Sequence, residues 1–211
     1  AFALGSVNLV LDHDPPVGRG QQAPLAVAIA SGTAAAVVQY QVGDREAARN
    51  SAERAATMAK GRGFVAWIDD SAVLLACLAA KGGDDGQRIA ELCRQFTTVR
   101  TSMAVRYGLN LCLLAAALAE VGDVGRGLEA LSAIPEEHRG VIYAAEIQRI
   151  LGELLRQRGE REQAEQCFRR AIEIARRRAE RSLELRAATS LARLLAEEDR
   201  RDEARQTLAA V

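Results

Sequence analysis

A short polar turn recurs along this chain at a nearly fixed interval. Gly43-Asp44, Gly82-Gly83-Asp84, Gly122-Asp123, Gly159-Glu160 and Asp199-Arg200 each separate an apolar helical run from a more polar, amphipathic one. Counted from Gly43 through Gly83, Gly122 and Gly159 to Asp199, successive steps are 40, 39, 37 and 40. A period of this length holds two helices and a turn, and one such hairpin cannot bury its apolar face alone. Stacking on neighbours buries it, so the period predicts an all-α array of antiparallel helical hairpins. Glycine after the first helix admits the left-handed backbone that closes it. The acid that follows is placed to cap the next helix and to face its positive end.

Composition supports the same class. Of 211 residues, 49% are apolar and only 4% aromatic, with four prolines and long runs of Ala, Leu, Arg and Glu. Those residues favour helix and leave too few β-branched and aromatic side chains for a β fold. The 28 basic residues balance the 28 acidic ones. Zero net charge excludes a globally basic nucleic-acid binder, and no nucleic-acid partner is expected. The uncharged run 20–43 matches a membrane span in length, but Gln21, Gln22, Pro24, Ser31, Gln39 and Gln41 interrupt it and most of its bulk is Ala. It reads as a closely packed soluble helix, and no membrane partner is expected.

The register gives about eleven helices. Residues 1–24 are expected to hold a remnant helix of a preceding repeat, near 2–12, and a breaker-rich loop over 14–20. Five helical pairs follow at about 25–61, 64–99, 102–134, 142–179 and 182–211. The fourth is the clearest, with Leu151-Gly152, Leu155, Gly159, Ala164, Phe168 and Ala171. Small residues at Gly152, Ala164 and Ala171 let its two helices approach, and Leu151, Leu155 and Phe168 fill the space between them. The fifth keeps the register through Leu191, Ala192, Leu195, Ala204, Leu208 and Val211, with Asp199 in place of the turn glycine. The third has Leu114, Ala115, Leu118, Gly127, Leu131 and Ile134, then Pro135 to stop the helix. Both ends of the array read as truncated.

The fourth pair spells L-G-x2-L-x3-G-x4-A-x3-F-x2-A, which resembles the core of the tetratricopeptide (TPR) repeat. It departs from the family at Gln148, where Trp is frequent, and at Arg176, where Pro is frequent. The second departure fits a longer second helix. The long period, the stretches 145–155, 164–175 and 182–192, and Gly63-Phe64-Val65-Ala66-Trp67 upstream are similar to one TPR subgroup. It is the C-terminal TPR region of bacterial STAND ATPase signalling proteins linked to cyclase, kinase or transcription-regulator domains. The resemblance implies a right-handed superhelix of TPR-like hairpins. It also implies a cytoplasmic scaffold or sensor for a protein or peptide partner, within a signal-transduction or transcription-regulatory protein. The catalytic modules of such proteins are absent from this sequence, so their activities do not carry over.

No catalytic constellation is expected. The chain has no GxxxxGK[ST] and no GxGxxG motif. His13 and His138 lie in separate loops, and Asp69-Asp70 and Asp84-Asp85 neighbour helix starts or turns where capping explains them. Cys77, Cys93, Cys112 and Cys167 are too widely spaced for a metal site and read as buried thiols in a reducing compartment. No enzyme activity, cofactor or metal is expected.

In TPR arrays the first helix of each pair lines the concave groove. Mapping those positions gives Ala30, Thr33, Val37, Tyr40 and Gln41 in the first pair, and Leu109, Cys112, Ala116, Ala119 and Glu120 in the third. The fourth gives Glu146, Arg149, Glu153, Arg156 and Gln157, and the fifth gives Arg186, Thr189, Arg193 and Glu197. The candidate partner-binding residues are Tyr40, Arg149, Glu153, Arg156, Arg186 and Arg193. A groove that is apolar early and arginine-rich late suits an extended segment with apolar and acidic residues. Ion pairs among Arg149, Glu153 and Arg156 would instead satisfy these charges internally. The asparagine with which chaperone-binding TPRs clamp a C-terminal carboxylate is missing; Val37, Ala116, Glu153 and Arg193 stand there. A second basic cluster, Arg169, Arg170, Arg176, Arg177, Arg178 and Arg181, is either a solvated convex face or a basic docking surface for a partner or nucleic acid. Small-molecule sensing and self-association are the alternative functions.

Overall fold

The computed structural model describes residues 19–80, 85–98, 104–134, 139 and 143–211. The expected helix near 2–12, His13, residues 81–84, Pro135 and His138 lie outside the described residues. Within them the fold is all-α, with ten helices. These are α1 (Arg19–Gln41), α2 (Arg45–Lys60), α3 (Val65–Ala79), α4 (Asp85–Thr98) and α5 (Ala104–Glu120). Then come α6 (Val124–Ser132), α7 (Ala144–Gln157), α8 (Arg161–Arg177), α9 (Arg181–Glu197) and α10 (Arg201–Ala209). Helix α1 takes up Arg19 and Gly20, which the breaker pattern assigns to the loop; Gln21, Gln22 and Ala23 favour helix and outweigh the glycine. No described helix is long and apolar enough to cross a membrane. The chain forms two compact units that divide between Ala79 and Ala80, inside the stretch 64–99.

In the first unit α1, α2 and α3 pack on one another. Helix α2 turns an alanine seam inward: Ala48, Ala52 and Ala59 are wholly buried and Ala55 nearly so. With side chains this small the α1 and α2 backbones approach closely; a β-carbon on Gly32 would stand 3.6 Å from that of Ala55. Ile29, Phe64 and Trp67 supply the bulk beside the seam. Gly43 closes α1 at φ 87° and Asp44 caps α2, its carboxylate accepting from the Ala47 N–H at 3.1 Å. Two guanidiniums of α2 cap the far end of α3. Arg45 donates to the Cys77 carbonyl at 3.2 Å and Arg49 to the Leu78 carbonyl at 3.2 Å, where the helix carries its negative end.

The second unit repeats the hairpin. Helices α5, α7 and α9 pack side by side, and α6, α8 and α10 each return against the first helix of their pair. This consecutive stacking is that of an α-solenoid. The turns work through positive φ: Gly122 at 81°, Gly159 at 83° and Asp199 at 59°. Ala179, between α8 and α9, also adopts φ 57°, which nothing in the turn pattern announces. Phe168 is wholly buried between α7 and α8, beside Leu155, Ala164 and Leu191.

Two expectations change here. The turn pattern assigns each following acid to cap the next helix. Asp123 does so, accepting from the Arg126 N–H at 3.2 Å, but Glu160 makes no capping bond. Its longer side chain swings the carboxylate onto Arg158 at 2.8 Å instead. Leu208 and Val211, core positions by register, are 45% and 37% exposed, because α10 packs chiefly on α9 and only Ala204 of it is buried, beside Ala164 and Phe168.

Candidate partner-binding face

The candidate residues of the second unit gather on one face of α7 and α9. The two helices carry equivalent positions one repeat apart, so Glu146 matches Arg186 and Glu153 matches Arg193. Each pair has opposite charges, and because α7 and α9 are neighbours, each meets across the repeat boundary. Arg186 lies 3.0 Å from Glu146, and Arg193 lies 3.6 Å from Glu153. Arg156 reaches over from α7 to Glu197 at 3.0 Å, and the Ser190 hydroxyl donates to Glu153 at 2.7 Å.

Pairs along α7 complete the network. Arg149 grips Glu146 with two donors, at 2.8 and 3.0 Å, and Arg156 donates to Glu153 at 3.1 Å. The internal pairing weighed from the sequence is therefore present. Glu146 is 7% exposed, so its charge would be costly without these partners. Burial pushes its carboxyl up, but the Arg149 and Arg186 guanidiniums outweigh burial and hold it below the usual carboxylate range. Burial likewise works against the Arg156 cation, and Glu153 and Glu197 overcome it and raise its value.

Accessibility varies across the cluster. Arg149 is nearly covered, with 12% of its side chain exposed, whereas Arg193 exposes 56% and sits farthest from its carboxylate. Four guanidiniums, of Arg149, Arg156, Arg186 and Arg193, here face three carboxylates, of Glu146, Glu153 and Glu197. The face keeps a surplus positive charge, and its most open cation is Arg193.

Not all mapped groove positions are open. Ala30, Thr33, Cys112 and Ala119 are buried; Thr33 donates to the Ile29 carbonyl at 3.0 Å. Helix-to-helix packing consumes those positions because the side chains are small. Tyr40 belongs to the first unit, where the Arg45 guanidinium lies 5.8 Å from its ring centre. Gln157 spends its amide on the α5 carbonyl of Ala119, at 2.8 Å, tying α7 to the preceding pair.

The sequence reading missed Glu184. Its side chain is fully covered at the start of α9, 2.8 Å from Arg176 and 3.3 Å from Arg181. The Arg176 hydrogen bond, above all, holds its carboxyl below the usual range. The available signal was the run of arginines just upstream of an acid in a helix's first turn. Nor was Ser190 singled out, since a lone serine mid-helix carries no pattern.

Neither the curated proteins nor the solved structures yielded a significant match to this chain. The family comparison matched residues 146–178, which cover most of α7, the Gly159 turn and all of α8, to the tetratricopeptide repeat. Together with the consecutive helical hairpins of the second unit, that match supports a TPR domain in this protein.

Proposed function

We propose that this chain is a non-catalytic recognition domain that binds an extended peptide segment on the α7–α9 face. In its parent it serves as a scaffold or sensor region of a bacterial signalling or regulatory protein. TPR repeats generally mediate protein–protein interaction. The observation that carries the reading is the ion-pair layer between α7 and α9, with Arg193 presented at its open edge. Buried Glu146 and nearly buried Glu153 fix the guanidiniums in place, so a partner's carboxylate meets pre-organised donors and less side-chain entropy is lost on binding. Arg149, Arg156 and Arg186 hold the layer together, Glu153 positions Arg193, and Arg193 takes the partner's acid.

The test is fluorescence anisotropy with extended peptides that combine apolar residues and carboxylates. Arg193→Glu is expected to weaken binding at least tenfold with the melting temperature unchanged, and Arg193→Lys to recover part of it. Unchanged binding in Arg193→Glu would rule out this face. The reading frame around the coding sequence tests the parent assignment; a cyclase, kinase or DNA-binding domain joined to an ATPase is expected.

A further inference from the structure

A second surface lies on the other side of the fourth pair. Helices α6 and α8 both pack on α7, but α6 has nine residues and α8 has 17. At a rise of ~1.5 Å per residue, the mismatch leaves roughly 12 Å of α8 beyond the length of α6. A cleft of about 850 Å³ lies there. Its floor is one stripe of α7, Ala144, Ile147, Gln148 and Leu151, at the spacing that shares a helix face. One wall is the matching stripe of α8, Arg170, Ile174, Arg177 and Arg178. The opposite side is formed by Leu128 and Leu131 of α6, together with Arg139.

The chemistry of this cleft is one-sided. Four guanidiniums line it, and among the described residues no carboxylate and no aromatic ring does. Arg170 has no carboxylate within ion-pair distance among the described residues. Arg177 pairs with Glu173 at 3.7 Å with both side chains mostly exposed, a pair that water and salt readily loosen. Arg139 spends its guanidinium on the Ile134 and Ser132 carbonyls, at 2.8 and 2.7 Å, so the charge offered to a ligand is carried by Arg170 and Arg177.

We propose that this cleft is a second docking site, which takes an acidic peptide segment that inserts a large aliphatic side chain between flanking carboxylates. Charge complementarity fixes the sign of the partner, and the Leu and Ile floor fixes its apolar anchor. A peptide fits better than a nucleic-acid strand, because no aromatic side chain among the described residues of the cleft offers a stacking platform for bases. The site is distinct from the α7–α9 face, so each stands or falls alone.

The probe is a fluorescein-labelled dodecapeptide with Leu at its centre and Glu on both sides, plus a version with photoreactive benzoylphenylalanine at the Leu position. Binding to the full chain is expected to weaken as salt rises. Arg170→Glu with Arg177→Glu is expected to reduce the yield of photoadducts on the cleft residues at least tenfold, while Arg193→Glu, which alters only the α7–α9 face, leaves that yield within twofold. Both altered arginines are exposed, and an unchanged melting temperature confirms that the fold survives. Photoadducts are expected on Leu131, Ile147 or Ile174. Four results overturn the proposal: no binding up to millimolar peptide, an equal loss of cleft photoadducts in the Arg193 variant, adducts confined to α7 and α9 outside the cleft, or a poly-dT strand that binds with the same arginine dependence while the peptide does not.

Discussion

The ring of Phe168 occupies the space that a side chain at Gly152 would need. A β-carbon at 152 would lie 2.6 Å from the ring's Cε1 and 2.7 Å from its Cδ1, and the ring is wholly buried. Glycine is thus required by packing across the α7–α8 hairpin, in the middle of a helix where it is otherwise unfavourable. Gly152→Ala is expected to cost about 1–3 kcal/mol from overpacking, even though Ala gains about 1 kcal/mol in helix propensity. Urea unfolding of Gly152→Ala, Phe168→Leu and the double variant measures the coupling, expected at about 0.5–3 kcal/mol. Gly125 on α6 is the control: a β-carbon there meets nothing within 4 Å, so Gly125→Ala is expected to stabilise.

Glu146 makes the fold acid-sensitive. Its carboxyl titrates below its ordinary value of 4.5, so at low pH the unfolded chain binds more protons than the folded one. The stability it contributes is fully present above about 4.5 and is lost as pH falls through the lower folded value. Glu146→Ala removes the carboxylate that Arg149 and Arg186 share, leaving Arg149 the longer 3.8 Å pair with Glu153, and is expected to cost about 3–5 kcal/mol at neutral pH. Glu165, Glu184 and Glu203 are depressed in the same direction, so the variant flattens only part of the acid limb. Melting temperature against pH from 7 down to 3 for both proteins checks this; an identical slope in the variant would remove Glu146 from the account.

Ala179 holds a left-handed backbone at φ 57° without the freedom of glycine. For an L-residue with a β-carbon this region costs roughly 1–2 kcal/mol. Ala179→Gly is expected to stabilise the second unit by about 1 kcal/mol, less the extra freedom that glycine gives the unfolded chain. Asp199, at φ 59°, is the paired test, with a smaller gain for Asp199→Gly because aspartate tolerates this conformation. Differential scanning calorimetry of both variants should rank them in that order.

The thiols should report the fold kinetically. Cys77, Cys93 and Cys112 are buried, and Cys167 is partly open. Burial, aided by the Asp123 charge, pushes the Cys93 thiol up to about 12, and burial pushes Cys112 higher still. Both stay protonated and unreactive at pH 8. Ellman's reagent on the native protein is expected to react with Cys167 first, although burial raises its value too, and with all four thiols only in denaturant. Fast reaction at Cys112 would show that α5 opens readily.

Much of the second unit was legible from one dimension. The turn at Gly159, the inward set Leu155, Ala164 and Phe168, and the glycine beneath the ring follow from spacing, because helix period and residue volume are local properties. The charges of the α7–α9 face were legible as a list, but not as partners. Glu146 meets Arg186 and Glu153 meets Arg193 only because neighbouring helices bring positions one repeat apart to the same level.

The sequence by itself determined the class of the fold, the helical hairpin and its period, since apolar periodicity, turn glycines and helix propensity act over a few residues. Tertiary structure alone decided the rest. It covered Glu184 completely, spent Glu160 on Arg158 instead of a cap, left Leu208 exposed, and opened a basic cleft where α8 outruns α6. Burial and pairing depend on what other elements place nearby, and a carboxylate's role is set by the guanidinium that the fold delivers to it.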